Sequence, residues 1–238
     1  MLLNGRSSSL AIHDDLPVPV DIRPLRAARR LRLRYDERRG LLKLTCPART
    51  SRKAALAWAA EQSAWVEAQI AAAVKGEPLV PGATIPLGGA EVRLVWAVDA
   101  PRTPVLRDDT LSCGGPETGY ARRIERFLKH LALETLSRET AACAVKAGLK
   151  VRSVSVGDAD TRWGSCTADG RIRYSWRLIL AAPAARRFVV AHEVAHLVHL
   201  NHGAEFKALE RALFGADVKA ARALLRRCGD RLKRVGRL

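Results

Sequence analysis

The sequence predicts an α+β chain in which strand-like and helix-like segments occupy separate stretches. Three observations carry this. Apolar residues alternate with charged ones near residues 31–35, whereas over 51–74 and 118–147 they recur at helical spacing. Between those helices, 76–116 is dense in glycine and proline and holds only short apolar runs, the composition of a β-rich stretch. The expected organisation is a loose leader over 1–20, a β-rich N-terminal region with one helix over 21–116, and a second domain over 117–238.

Each element has its own warrant. Pro17 and Pro19 keep the leader extended, and no period runs through it. Leu31, Leu33 and Tyr35 alternate with Arg32 and Arg34, which predicts strands over 29–35 and 40–46 joined by a turn at 36–40. Leu56, Ala60, Ser63, Val66 and Ile70 predict one helix over 51–74, with Ser51 as its N-cap. Strands are expected over 91–98 and 104–106, with a hairpin turn at 108–110. Ile124, Leu128, Leu131 and Leu136 line the apolar side of a long helix over 118–147, stopped by Gly148. Strands follow over 151–156, 162–166 and 171–176. The last two are joined through Ala168, Asp169 and Gly170, so a small antiparallel sheet is expected. Pro183 suits the first turn of a helix running to about residue 200, ended by Asn201, His202 and Gly203. Two helices close the chain, over 204–214 with a stop at Gly215, and over 218–235 with a cap at Asp217.

Composition bounds the partner and the compartment. The 238 residues carry 41 basic and 24 acidic side chains, a net charge of +17 made of 32 Arg and 9 Lys. With 48% hydrophobic residues, an acidic disordered chain and a collagen are excluded. The basic balance invites nucleic acid or another polyanion, though it also fits arginine placed on solvated faces. Cys46, Cys113, Cys143, Cys166 and Cys228 are odd in number and form no CxxC pair, as free thiols in a reducing cytoplasm would. No apolar run reaches membrane length, so no membrane partner is expected.

One helix carries chemistry. The segment FVVAHEVAHLVHLNHG at 188–203 contains His192-Glu193-Val194-Ala195-His196, the HExxH pattern. On a helix, i and i+4 share a face, so two imidazoles reach one zinc ion there. Glu193 stands beside the first of them, placed to take a proton from an activated water. The surrounding residues are apolar on every side, so the helix is buried, and two His and a Glu without partners would cost roughly 1–3 kcal/mol each. A catalytic zinc keeps three protein ligands and one open position. His199 and His202 are candidates for the third. His199 lies about 10 Å along the helix axis from His192, so His202, past the turn at Asn201, is favoured. Glu205 is a weaker candidate that could instead orient a ligand imidazole. Trp163, Tyr174 and Arg177 are candidates to line the substrate cleft, and Arg162, Arg177 or Tyr174 to steady a developing oxyanion.

These residues resemble a known family. HEVAHLVHLNH, preceded by RWGSC at 162–166 and SWRLIL at 175–180, is similar to the YgjP-like zinc metallopeptidases, which are distant relatives of the SprT-like and gluzincin proteases. The resemblance spans 151–214 and extends to the basic N-terminal hairpin and its helix. It implies a zincin-like metallopeptidase domain over 117–238 with an active-site helix, His192, His196 and His202 as zinc ligands, Glu193 as catalytic base, and a peptide or protein substrate. Metzincins share the ligand spacing but carry glycine where this chain has His199, which argues against a metzincin-type turn.

Two rival readings remain at this level. A nucleic-acid-associated protein with a structural zinc would use the arginines at 23–39 and the basic run at 222–237. A different zinc hydrolase would act on an ester, a phosphate or a small amide.

Overall fold

The computed structural model describes residues 10–36, 39–72, 76–159 and 161–237. The chain divides into two compact units, Met1–Lys75 and Gly76–Leu238.

In the first unit, β1 (Leu10–Ala11), β2 (Val20–Leu25), β3 (Arg32–Asp36) and β4 (Leu41–Pro47) form a sheet in the order β1-β2-β4-β3. The antiparallel β3–β4 pair, with Leu33 opposite Leu44, is the expected one. Residues 37 and 38 of its connection, Arg38 of the basic cluster included, lie outside the described residues. The stretch read as a loose leader is partly built into the sheet: Leu10 pairs with Asp21, and β2 runs parallel to β4. Residues 1–9 lie outside the described residues. No period betrays these strands, because β1 has two residues and β2 buries Val20, Asp21 and Ile22 in succession. The buried Asp21 carboxylate accepts from Arg23 Nε and Nη2 at 3.1 and 2.8 Å, so this arginine serves the fold. The single helix expected over 51–74 is two, α1 (Arg52–Ala60) and α2 (Ser63–Ala72). Ser51 caps α1, accepting from the Ala54 N–H at 3.1 Å. Ala55, Ala59 and Val66 share one core across the break, so apolar spacing does not reveal it. Val74 lies outside the described residues.

The second unit begins with β5 (Thr84–Leu87), β6 (Ala90–Trp96), β7 (Val105–Arg107) and β8 (Thr110–Cys113), in the order β5-β6-β8-β7. The turn between β7 and β8 falls where expected, with Asp108 at φ +49°. Helix α3 (Tyr120–Lys146) buries Ile124, Leu128 and Leu136 and is stopped by Gly148 at φ +65°. Then come β9 (Ser153–Gly157), β10 (Gly164–Cys166) and β11 (Arg171–Ser175), in the order β10-β11-β9. The small sheet is mixed rather than purely antiparallel. The β10–β11 hairpin is antiparallel, and β9 pairs parallel with β11 because the chain crosses over through β10 before returning. A 3₁₀ turn over Trp176–Ile179 leads to α4 (Pro183–Ala195), α5 (Ala204–Phe214) and α6 (Val218–Arg234). Gly215 at φ +68° stops α5, and Asp217 caps α6 through Lys219 N and Ala220 N at 2.8 and 3.0 Å.

Helix α4 packs between α3, α5 and α6 and lies against β10. A buried pair fixes it to α3: Arg186 donates from Nε and Nη2 to both Glu139 oxygens at 2.7–3.1 Å. The helix ends at Ala195, about one turn before its apolar run does. Beyond it, Leu197 N bonds Val194 O and Val198 N bonds Ala195 O, the tighter three-residue spacing. No described helix is long and apolar enough to cross a membrane.

Candidate metal centre

The early end of α4 shapes the site. His192 sits in its last turn and His196 at its C-cap, while residues 197–203 curl back before α5 starts. The turn carries His202 against the helix it has just left. His202 Nε2 lies 3.2 Å from His192 Nε2, and one ring nitrogen from each of His192, His196 and His202 falls within a 4.8 Å group. Two nitrogens bound tetrahedrally at about 2.05 Å would stand about 3.3 Å apart, so the spacing suits one metal ion. The buried ring of Phe206 floors the group, with its centroid 4.6–5.0 Å from all three imidazole centroids.

The other ring nitrogens are held from outside. Glu210 of α5, 1% exposed, puts Oε1 2.7 Å from His192 Nδ1. The backbone carbonyl of His199 lies 3.0 Å from His196 Nδ1, and a carbonyl only accepts, so His196 donates there. With Nδ1 of both rings engaged as donors, the Nε2 lone pairs turn toward the same point, the pattern by which outer partners fix a ligand imidazole. Burial holds His192 below its ordinary pKa, against the opposing pull of Glu210, and favours the neutral ring that binds metal.

Glu193, 4% exposed, follows His192 on α4. Burial raises its pKa to about 7, and Arg162 works in the opposite direction. Its side chain crosses directly over Gly164 of β10. A Cβ placed on Gly164 would stand 2.5 Å from Glu193 Oε1 and 2.7 Å from Cδ, so only glycine leaves room for this carboxylate. Trp163, Gly164, Phe188, His192, Glu193 and Arg222 border one open cleft of about 310 Å³. Arg222 Nη2 also reaches Glu210 Oε2 at 3.4 Å.

Of the residues expected to meet substrate, Trp163 borders this cleft, with Lys233 Nζ 5.5 Å from its ring centroid. The structure does not bring Tyr174 or Arg177 to the histidines. Tyr174 is buried, its hydroxyl shares a 3.0 Å hydrogen bond with Thr140, and burial pushes its phenol well above the ordinary value. Arg177 is buried and donates from Nε and Nη2 to the Val235 carbonyl at 3.2 and 2.9 Å, and from Nη1 to Asp158. Glu205 is exposed, 3.7 Å from His199 Nδ1 and apart from the three converging rings.

Sequence reasoning missed Gly164, Phe206 and Glu210. A signal existed for two of them. Phe206, Glu210 and Leu213 form the buried stripe of α5, and a carboxylate on such a stripe requires a partner. A glycine inside a short strand marks close approach by another group, without saying which.

No curated protein matches the chain, and no solved structure does. A family model for the YgjP-like metallopeptidase domain matches residues 29–227. Metallopeptidases act on proteins or peptides and use a divalent metal, and His192, His196 and His202 form a group able to bind one. The matched span covers most of the chain and contains those histidines, Glu193, Gly164 and Glu210, so the chain belongs to the YgjP-like metallopeptidase family.

Proposed function

We propose that the protein is a zinc-dependent peptidase whose ligands are His192, His196 and His202 and whose general base is Glu193. The observation that carries this reading is the convergence of three imidazoles, two of them anchored from behind, beside a buried carboxylate in an open cleft. Zinc bound there would polarise the scissile carbonyl and make a nearby water acidic enough to attack it. A nitrogen-only donor set with no cysteine favours an open catalytic site over a closed structural one.

The chain's own residues supply the rest. Glu193 takes the proton of the attacking water on a carboxylate oxygen and returns it to the leaving amine. Glu210 and the His199 carbonyl keep two ligand rings from rotating. Strand β10 is the sheet edge beside Glu193. Ser175 N bonds Trp163 O and Thr167 N bonds Arg171 O, so by alternation the backbone groups of Gly164 and Cys166 face away from β11. An extended peptide pairing with that edge would pass its backbone beside Glu193. The free cysteines suit a reducing cytoplasm as the place of action.

The test combines metal analysis of the purified protein with digestion of a peptide library. One zinc per chain and cleavage are expected. Glu193→Gln should keep the metal and lose activity by roughly 10²–10⁴-fold. Absence of stoichiometric metal, or full activity in Glu193→Gln, would overturn the reading.

A further inference from the structure

Arginine is gathered at the start of α3 against the usual preference of a helix. Arg122, Arg123 and Arg126 occupy its first two turns, and no acidic residue lies in the first turn. The helix dipole disfavours cations at that end, so the placement breaks a local rule with no gain inside the helix. Together with Arg102, Phe127 and His130 these residues line a cavity of about 600 Å³, a volume in the range of small-molecule sites. It shares no lining residue with the histidine cleft. No carboxylate lines it, and among the described residues none of Arg102, Arg122 or Arg126 has an acidic partner.

One wall of the cavity is held by hydrogen bonds. Arg123 is clamped, donating from Nη2 to the Pro116 carbonyl at 2.8 Å and from Nε to Cys113 Sγ at 3.2 Å. Glycine underlies two of the arginines: a Cβ on Gly119 would stand 2.7 Å from Arg123 Nη1, and one on Gly115 would stand 3.0 Å from Arg102 Cγ. Arg102, Arg122 and Arg126 are exposed along the rim of the cavity, so their guanidinium groups are open to a ligand from solvent.

We propose that this cavity binds a small molecule carrying adjacent phosphates, with the guanidinium forks of Arg102, Arg122 and Arg126 as the phosphate ligands. Planar forks match phosphate oxygens two at a time, and several of them lining one space favour clustered charge over a single carboxylate. Phe127 offers an apolar wall for a group attached to the phosphates.

Titration calorimetry at about 0.15 M salt would test this with tripolyphosphate and with ATP as probes, on wild type and three variants. Binding of either probe is expected to weaken roughly tenfold or more in Arg122→Gln/Arg126→Gln, and likewise in Arg102→Gln, which lies on a separate segment. It should be unchanged in Arg226→Gln/Arg227→Gln, which removes the same charge elsewhere. Tighter binding of ATP than of tripolyphosphate would identify a nucleotide site, and the reverse a bare phosphate chain. Coordination of a probe at the histidine cluster would survive all three variants and would overturn the proposal. So would an absence of binding, an equal loss in the control variant, or binding confined to long single-stranded RNA.

Discussion

A methyl group added at Gly164 would stand within 2.7 Å of the Glu193 carboxyl carbon, and either the strand or the carboxylate would have to move. Overpacking of this kind costs about 1–3 kcal/mol. A base displaced by about 1 Å loses on the order of 100-fold in rate. With Glu193 as the proposed base, Gly164→Ala is therefore expected to lower kcat about 100-fold while the content of bound metal stays at wild-type level, as steady-state kinetics and metal analysis would show. Glu210 acts at the same scale on a different step. Glu210→Gln keeps the shape but removes the charge that fixes His192, and metal affinity should fall by roughly 10–100-fold in a chelator competition. The two variants separate the positioning of Glu193 from metal retention. His192 and Glu210 are 18 residues apart and Gly164 and Glu193 are 29 apart, separations at which no spacing rule operates.

The elements that hold these residues depend on their ends. Asp217 satisfies two amide donors at the start of α6, the helix that carries Arg222 to the cleft. Asp217→Ala should cost about 1 kcal/mol, a fall of some 2–4 °C in the thermal midpoint for a domain of this size. Calorimetry would check it. The cap, like Gly148, Gly215 and the turn at Asp169 and Gly170, was readable in the sequence because each acts on its immediate neighbours. The end of α4 was not. Its apolar residues continue to Leu200, but the backbone turns after Ala195 and leaves Val198 and Leu200 exposed. The break between α1 and α2 was hidden for the same reason, since both helices feed one core.

On the scale of the whole molecule, charge and buried phenols govern the response to pH. Burial raises Tyr120 to about 12 and lifts Tyr174 further above the ordinary value near 10. A group raised on folding stabilises fully below its unfolded value and loses that contribution as pH climbs toward the folded one. The thermal midpoint should therefore fall above about pH 9, where the half-buried thiols of Cys143 and Cys166 are also raised, and more steeply above about pH 10 as these tyrosines lose their contribution. Tyr174→Phe should soften that fall while losing about 1 kcal/mol at neutral pH with the Thr140 hydrogen bond. Calorimetry across pH 7–11 would show both. The net charge of +17 means that many basic side chains lack an acidic partner in any fold. The tertiary structure sorts them: Arg23, Arg177, Arg186 and Arg231 brace the fold through acids, whereas Arg102, Arg122 and Arg126 face an open cavity.

Within that division, the sequence alone determined the α+β class, most element boundaries set by glycine, proline and capping residues, and the helical face that carries His192, Glu193 and His196. Those features are local, since a period of 3.6 residues or a positive φ acts within one or two turns. Only the tertiary structure decided which groups meet that face. It placed Glu210 behind His192, set Gly164 beneath Glu193, and drew Tyr174 and Arg177 into the core, whereas the approach of His202 was already expected from the turn at Asn201. Such contacts join residues distant in the chain, and they follow from how buried surfaces pack rather than from any repeat in the sequence.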